Sequence, residues 1–177
     1  PGSQADLPSA GGLLSFVRHT MTFDDLTVSF QHLDRSSVLE DWAWLTGKRK
    51  LPILLTAAGD AFVQHIDDGT IHFLDVGANQ IRRVATSPDT FSELLSDREF
   101  VAGYFNVQLV GDLRLNGSVL KPGQIYSYVK PPVLGGQYIL ENFHVADIEV
   151  HFSISGQIGH QVRNLPPGTK IRGINIS

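Results

Sequence analysis

Two histidines on a predicted β-hairpin are the residues whose spacing comes nearest to supporting chemistry. Asp68-Gly69 separates two alternating apolar runs, and this dipeptide favours a two-residue turn between antiparallel strands. Such a turn pairs His65 with His72, so both imidazoles share one face and Asp67 lies diagonal to them. Catalytic zinc takes three protein ligands, so the pair makes at best a minimal metal site. The simpler interpretation is two strand histidines on a solvated face.

A second group of titratable residues lies near the carboxyl end, and its meaning depends on the local fold. In a strand, Asp147, Glu149 and His151 share one face, with His160 close in sequence, which is an arrangement suited to general acid–base chemistry. In a helix the same three side chains point in different directions. We favour a strand to about residue 152 and interpret the three residues as its exposed polar face.

Other catalytic motifs are absent from the sequence. It contains no G-x-S-x-G or H-E-x-x-H pattern, and Gly135-Gly136 lacks the Lys and Ser/Thr of a nucleotide-binding loop. The absence of cysteine excludes disulfides, thiolate metal sites and cysteine nucleophiles. The sequence therefore offers none of these catalytic motifs, and we predict no cofactor.

The charge of the chain limits the class of partner. Its 177 residues carry 14 Lys and Arg against 18 Asp and Glu, for a formal charge of -4. Nucleic-acid binding requires a basic face, so the balance argues against nucleic acid and leaves room for a basic protein. No apolar run approaches the roughly 20 residues of a membrane helix.

The first 20 residues differ from the rest of the sequence. They are rich in small and turn-forming residues and precede Met21, the one methionine. We interpret residues 1–20 as a vector-derived or disordered extension and residues 21–177 as a single domain. The alternative is that Leu13 to Val17 forms an ordered lead-in to the first helix.

Hydrophobic periodicity and turn signals predict an α+β fold, with a mainly antiparallel sheet, N-terminal helices and further helices packed on it. The predicted helices are 22–30, 36–47, one that begins at Ser87-Pro88, 97–116 with weak points at Gly103 and Gly111, and 153–164. The predicted strands are 52–56, 61–67, 70–76, 80–85, 125–130, 143 to about 152, and 169–176, of which 61–67, 70–76 and 80–85 form a meander.

Several motifs together resemble one protein family. The most specific are Lys130-Pro-Pro-Val-Leu-Gly-Gly136 and Asp147-Ile-Glu-Val-His-Phe-Ser-Ile-Ser-Gly-Gln157, and Asp41-Trp-Ala-Trp-Leu45 precedes them. In order and spacing they resemble the C-terminal domain of the immunity proteins that accompany type VI secretion DNase effectors. The resemblance spans about residues 21–172.

The resemblance implies a small, cytoplasmic, non-enzymatic protein that binds and blocks a toxin such as a nuclease. An acidic protein suits a basic toxin, because complementary charge speeds association. The candidate contact residues are the acids and loop residues Asp60, Asp67, Asp68, Asp75, Lys130, Leu134, Gly135, Gly136 and Glu141. The alternative function is a metal- or small-ligand-binding protein or enzyme that uses His65 and His72.

Overall fold

The computed structural model describes residues 21–166 and 168–177, and these residues form the predicted α+β fold. Five antiparallel strands form one sheet in sequence order: β1 (Thr27–Val28), β2 (Lys50–Thr56), β3 (Ala61–His65), β4 (Ile71–Asp75) and β5 (Gln80–Ala85). Two more form a second antiparallel sheet: β6 (Gln124–Tyr128) and β7 (Phe143–Asp147). The predicted meander is confirmed. The interpretation of residues 1–20 lies outside the described residues.

Five α-helices and several single turns of 3-10 helix pack around the sheets in the described part of the chain. The α-helices are α1 (Ala43–Thr46), α2 (Pro88–Leu94), α3 (Arg98–Tyr104), α4 (Val107–Leu115) and α5 (Ile148–Val162). The 3-10 turns are Phe23–Asp25, Glu40–Trp42, Pro132–Leu134 and Leu140–Asn142.

An aromatic cluster forms the core between the large sheet and helices α2 and α3. Phe62 on β3 is cross-strand to Phe73 on β4, so both rings point to the same face. The Phe62 ring centroid lies 4.9 Å from that of Phe91 on α2 and 5.4 Å from that of Phe105. Burial of these rings holds the helices on the sheet. Phe91 faces this core as predicted, and Ser87 caps α2 by accepting the N–H of Thr90.

The N-terminal helices are shorter than predicted. The predicted helix 22–30 is only a 3-10 turn followed by β1, because the Leu26 carbonyl accepts the Ala57 N–H and draws the chain onto β2. In the predicted helix 36–47, Ser36 instead closes a turn by bonding to Asp34. Helical structure there begins only at Glu40. The residue spacing of both segments favours a helix locally, but hydrogen bonds made in the folded chain determine a different structure.

Three other predicted boundaries are wrong. The predicted helix 97–116 is two helices, broken at Asn106 (φ 49°) and not at its glycines. Helix α5 begins at Ile148, five residues before the predicted start, because strand pairing stops at Asp147. The predicted last strand, 169–176, is absent: none of residues 168–177 lies in a strand.

Helix α5 is fixed by the two tryptophans of the Asp41-Trp-Ala-Trp-Leu45 motif. The indole N–H of Trp42 donates to the Phe152 carbonyl (2.9 Å), and that of Trp44 donates to the Gly156 carbonyl (3.3 Å). These carbonyls are one turn apart, so two indoles spaced by one residue address one face of the helix. A Cβ on Gly156 would lie 2.7 Å from the Asp41 carbonyl oxygen, so only glycine permits this approach.

Candidate partner-binding surface

The hairpin that carries His65 and His72 has a different register from the predicted one. His72 lies opposite Val63, and His65 is linked to Thr70 by its N–H, so four residues form the loop. The predicted direct pairing of the two histidines is therefore wrong. A register shift of two residues preserves the faces, so both histidines still share one face, in diagonal positions.

The surroundings of the two histidines do not form a metal centre. His65 Nδ1 lies 3.3 Å from Asp68 Oδ1, and His65 Nε2 lies 3.9 Å from Asp67 Oδ2. Burial, and then the nearby Lys50 ammonium, lower the pKa of His72. Within residues 21–166 and 168–177, no group of three or more His, Asp or Glu side chains could hold a metal ion. The alternative function at His65 and His72 gains no support from this geometry.

The hairpin acids Asp67 and Asp68 are exposed, as predicted, but neighbouring groups already bind them. Asp67 forms an ion pair with Arg49, and the hydrogen bonds from Arg49 lower the pKa of this carboxyl. Asp68 accepts the N–H and the hydroxyl of Thr70 at 2.9 and 2.7 Å, which lowers its pKa. Both carboxylates stay ionised, and both are locally compensated.

Asp60 is not a surface contact, contrary to the prediction. Its side chain is buried (4% exposed), and Oδ1 accepts the Val76 N–H at 2.9 Å. Oδ2 lies 3.4 Å from the side-chain nitrogen of Asn106, the left-handed residue between α3 and α4. Burial, and then the Asp75 carboxylate, raise the pKa of Asp60 well above its ordinary value. Asp60 therefore ties β3 to β4 and to the α3–α4 junction.

The predicted acid–base face of Asp147, Glu149 and His151 does not exist, because the last two residues lie on α5. His151 is buried, with Nε2 2.8 Å from the Gly59 carbonyl oxygen and Nδ1 2.8 Å from the Ser127 hydroxyl. A carbonyl only accepts, so Nε2 carries the proton and the Ser127 hydroxyl donates to Nδ1. Burial lowers the pKa of His151 to about 4. His151 is a neutral structural bridge.

The Lys130–Asn142 loop has the unusual backbone that its glycines indicated. Gly135 has φ +86°, and a Cβ on Gly136 would lie 1.7 Å from the Lys130 carbonyl oxygen. The Asn142 side chain closes the loop: it accepts the Lys130 N–H and donates to the carbonyls of Lys130 and Gln137, each at 2.9 Å. Lys130 and Gly135 are exposed, and Leu134 is half-buried. The Asn142 side chain therefore braces both ends of the loop.

This loop forms one wall of a cleft of about 680 Å³, which we call the α3–α4 cleft. The loop side consists of Tyr138, Ile139, Leu140 and Glu141. The opposite side comes from the two helices and their junction: Ala102, Asn106, Val107, Gln108, Leu109 and Asp112. The side chains of Tyr138 and Ile139 are 53% and 48% exposed, so the cleft presents an aromatic and an aliphatic group to solvent.

The cleft combines this apolar surface with negative charge. Asp112 and Glu141 are its ionisable carboxylates, and the described residues that line it include no Lys, Arg or His. Gln108 donates to Asp112 at 2.9 Å, which fixes that carboxylate. The Tyr138 hydroxyl packs directly against Gly77, where a Cβ would lie 1.9 Å from its oxygen. The same oxygen accepts a 3.3 Å hydrogen bond from the Tyr128 hydroxyl.

The predicted contact residues fall into two separate groups. Asp67 and Asp68 lie in the β3–β4 loop, whereas Asp75 lies at the other end of β4, about 17 Å away for a five-residue strand. The turn after Asp75 meets the Lys130–Asn142 loop through Tyr138, so Asp75 and Glu141 belong to the second group. The helix residues of the cleft had no sequence motif and were missed.

The region that contains the cleft matches a family model. Residues 85–159 match the family model described as T6SS immunity protein Tdi1, C-terminal. This segment is similar to the Tdi1 C-terminal family. The match confirms the family that the motifs indicated, and the whole α3–α4 cleft lies inside the Tdi1 segment.

Other comparisons add information about the fold. The crystal structure of Atu4351 from Agrobacterium tumefaciens is similar, with a TM-score of 0.52 and 19% sequence identity. The similarity covers 72% of this chain and 66% of that chain, so this chain spans just under two thirds of the other protein's length. At this identity the likeness concerns the fold alone. No curated protein matches the chain.

Among the described residues, no helix has both the length and the apolar character needed to cross a bilayer.

Proposed function

We propose that this protein is an immunity protein that binds a toxin delivered by type VI secretion and neutralises it by covering a functional surface. The observation that carries the proposal is the match of residues 85–159 to the T6SS immunity protein Tdi1 C-terminal family. This segment supplies every residue of the α3–α4 cleft, so we assign toxin binding to the cleft.

The cleft has the composition of a protein-binding surface. Energetically dominant interface positions are enriched in aromatic residues that pack at the centre of a rigid patch. Tyr138 is such a residue, and Ile139 extends the apolar contact. Asn142 and Asp60 hold the two walls before binding, so less conformational entropy is lost on association.

The charge of the cleft selects a basic toxin surface. Asp112 and Glu141 line the cleft, and the whole chain carries a charge of -4. A toxin that cleaves nucleic acid needs a basic surface to bind its substrate, and an acidic partner placed there excludes that substrate. We therefore propose a nuclease as the toxin and the cytoplasm as the place of binding. Binding alone is sufficient, and no reaction by this protein is required.

Co-expression with a candidate type VI toxin, chosen from the genes that neighbour the gene for this protein, tests the proposal. We expect wild type to restore growth and to co-purify with the toxin. The charge-reversed variant Glu141→Lys should protect less well, while Glu40→Lys, the same change at an exposed site outside the cleft, should protect like wild type. Failure of the wild type to protect contradicts the function, whereas equal protection by the wild type and both variants contradicts only the assignment to the cleft.

A further inference from the structure

Tyr138 presents an anchored aromatic ring to the α3–α4 cleft. Its hydroxyl points inward: it accepts a hydrogen bond from the Tyr128 hydroxyl at 3.3 Å and packs against the buried Gly77. The rings of Tyr138 and Tyr128 also meet edge to face, with centroids 5.8 Å apart. Tyr138 is nevertheless 53% exposed, so its exposed surface belongs mainly to the ring. An exposed ring held in this way attracts a cation, because the face of the ring carries negative charge density.

The polar side chains that line the cleft offer acceptors to an incoming group. Gln108 donates its side-chain nitrogen to Asp112 Oδ1 at 2.9 Å. The side-chain oxygen of Gln108 and Oδ2 of Asp112 are left without a protein partner in the described part of the chain. The side-chain nitrogen of Asn106 is likewise turned to Asp60, at 3.4 Å. Because these nitrogens are used within the protein, a group that carries only donors suits the cleft best.

The two carboxylates of the cleft lack a compensating cation among the described residues. Glu141 is exposed, Asp112 is half-buried, and no Lys, Arg or His of the described chain lines the cleft with them. The basic residues close to them in sequence lie elsewhere: Arg114 forms an ion pair with Asp25 at 2.9 Å, and Lys130 lines a different pocket. This distinguishes the cleft from the β3–β4 hairpin, whose acids are bound by their own neighbours. The negative charge of the cleft is therefore available to a partner.

We propose that the α3–α4 cleft binds an arginine side chain of the toxin, which stacks on Tyr138 and donates to Glu141 and Asp112. A guanidinium carries donors and no acceptor, stacks on aromatic rings and binds carboxylates through paired hydrogen bonds. A lysine ammonium is more strongly hydrated and lacks the flat surface that stacks. Surfaces that bind nucleic acid use arginine for the same reason, since its planar fork matches a phosphate. The inference rests on the proposed toxin binding and adds the chemical group that the cleft recognises.

The first test needs no toxin. The probe is the peptide acetyl-Gly-Arg-Gly-amide, titrated into isotope-labelled full-length protein while the chemical shifts of the backbone amides are recorded. We expect saturable shifts at millimolar probe, concentrated at the residues that line the cleft. The matched peptide with citrulline, which keeps the shape of arginine without its charge, should bind about tenfold or more weakly. The lysine peptide should bind about threefold or more weakly.

Variants of this protein test the contacts separately. Tyr138→Phe keeps the ring and should bind the arginine peptide within about twofold of wild type, whereas Tyr138→Leu should bind it about fivefold or more weakly. Glu141→Gln removes one charge at nearly constant shape and should also bind about fivefold or more weakly. Glu40→Gln, the same change at an exposed site outside the cleft, should bind like wild type.

A toxin that this protein neutralises allows the same contact to be tested in the complex. Each exposed arginine of the toxin is changed to lysine and combined with Glu141→Gln in a double-mutant cycle. One arginine should couple to Glu141 by about fivefold or more and show no coupling to Glu40.

The inference is overturned if the arginine peptide gives no saturable shifts in the cleft, if the citrulline or lysine peptide binds equally well, or if no toxin arginine couples to Glu141. Protection by the wild type in spite of such a result would leave the proposed function intact. Failure of the wild type to protect would contradict the proposed function itself, whatever the peptide does.

Discussion

His151 shows how a residue with catalytic chemistry can serve structure alone. It joins α5 to Gly59 and Ser127, which are 92 and 24 residues away in the sequence, so no local pattern could identify its role. Its neutral form is the one that burial favours, because a buried imidazolium loses its hydration and no carboxylate of the described residues compensates it.

The pKa of His151 predicts a loss of stability in acid. The pKa of His151 is about 4 in the folded protein, against an ordinary value of 6.5. Between pH 4 and pH 6.5 the unfolded chain therefore binds a proton at this residue and the folded chain does not. The contribution is fully present above pH 6.5 and is lost as the pH falls toward 4. Between these limits the free energy of unfolding should fall by about 3 kcal/mol through this residue.

Urea unfolding of wild type and His151→Leu across this pH range isolates the effect. At pH 7 the variant should be less stable by about 1–3 kcal/mol, because the Gly59 carbonyl and the Ser127 hydroxyl lose their partner. The difference in free energy of unfolding between wild type and variant should narrow toward pH 4, because only the wild type loses the contribution of His151. If the free energies of unfolding of the two proteins changed in parallel with pH, the assigned role of His151 as a buried neutral bridge would be contradicted.

The raised pKa of Asp60 predicts a contribution to the free energy of unfolding that changes with pH in the opposite direction. Its raised pKa means that the folded chain retains a proton above 3.8 that the unfolded chain releases, so this residue's contribution falls as the pH rises. Asp60→Asn should therefore be at least as stable as wild type at pH 7. Asp60→Ala should lose about 1–3 kcal/mol, because the N–H of Val76 loses its acceptor. Thermal unfolding checks both, and equal destabilisation by the two variants would refute this reading.

At the scale of elements, the accuracy of the sequence predictions follows the range of the interactions. The start of α2 was predictable, since Ser87 and Pro88 act within one turn. The α3–α4 break was not, because Asn106 contacts Asp60, a residue 46 positions away. The hairpin was found, but its register depends on packing beyond the Asp68-Gly69 signal. The cleft could not be predicted for the same reason, because its two walls come from segments that are distant in the sequence.

Two glycines of contrasting surroundings test the rigidity of the Lys130–Asn142 loop. Gly136→Ala should destabilise the protein by about 1–3 kcal/mol, because its Cβ would overlap the Lys130 carbonyl oxygen. Gly103→Ala is the matched control: it lies exposed within α3 with nothing within 4 Å of its Cβ, and should stabilise by about 0.5–1 kcal/mol. Thermal melts of both variants decide, and a wild-type melting temperature for Gly136→Ala would show that the loop adapts.

At the scale of the whole molecule, charge determines how fast a partner arrives. A chain of charge -4 with an acidic cleft should attract a basic toxin at long range. Salt screens this attraction, because the Debye length falls to about 3 Å at 1 M ionic strength. The association rate constant should therefore fall steeply with ionic strength, while the dissociation rate constant changes little. Stopped-flow mixing at several salt concentrations measures both, and a salt-independent association rate would exclude electrostatic steering.

The most direct test of the central claim is the affinity of the toxin for the cleft. Calorimetric titration should give tight binding to wild type and at least tenfold weaker binding to the combined Tyr138→Ala and Ile139→Asp variant, a loss of about 1.4 kcal/mol or more. Asp68→Asn on the distant hairpin should bind like wild type. Wild-type affinity in the cleft variant, or no binding by wild type itself, would contradict the account.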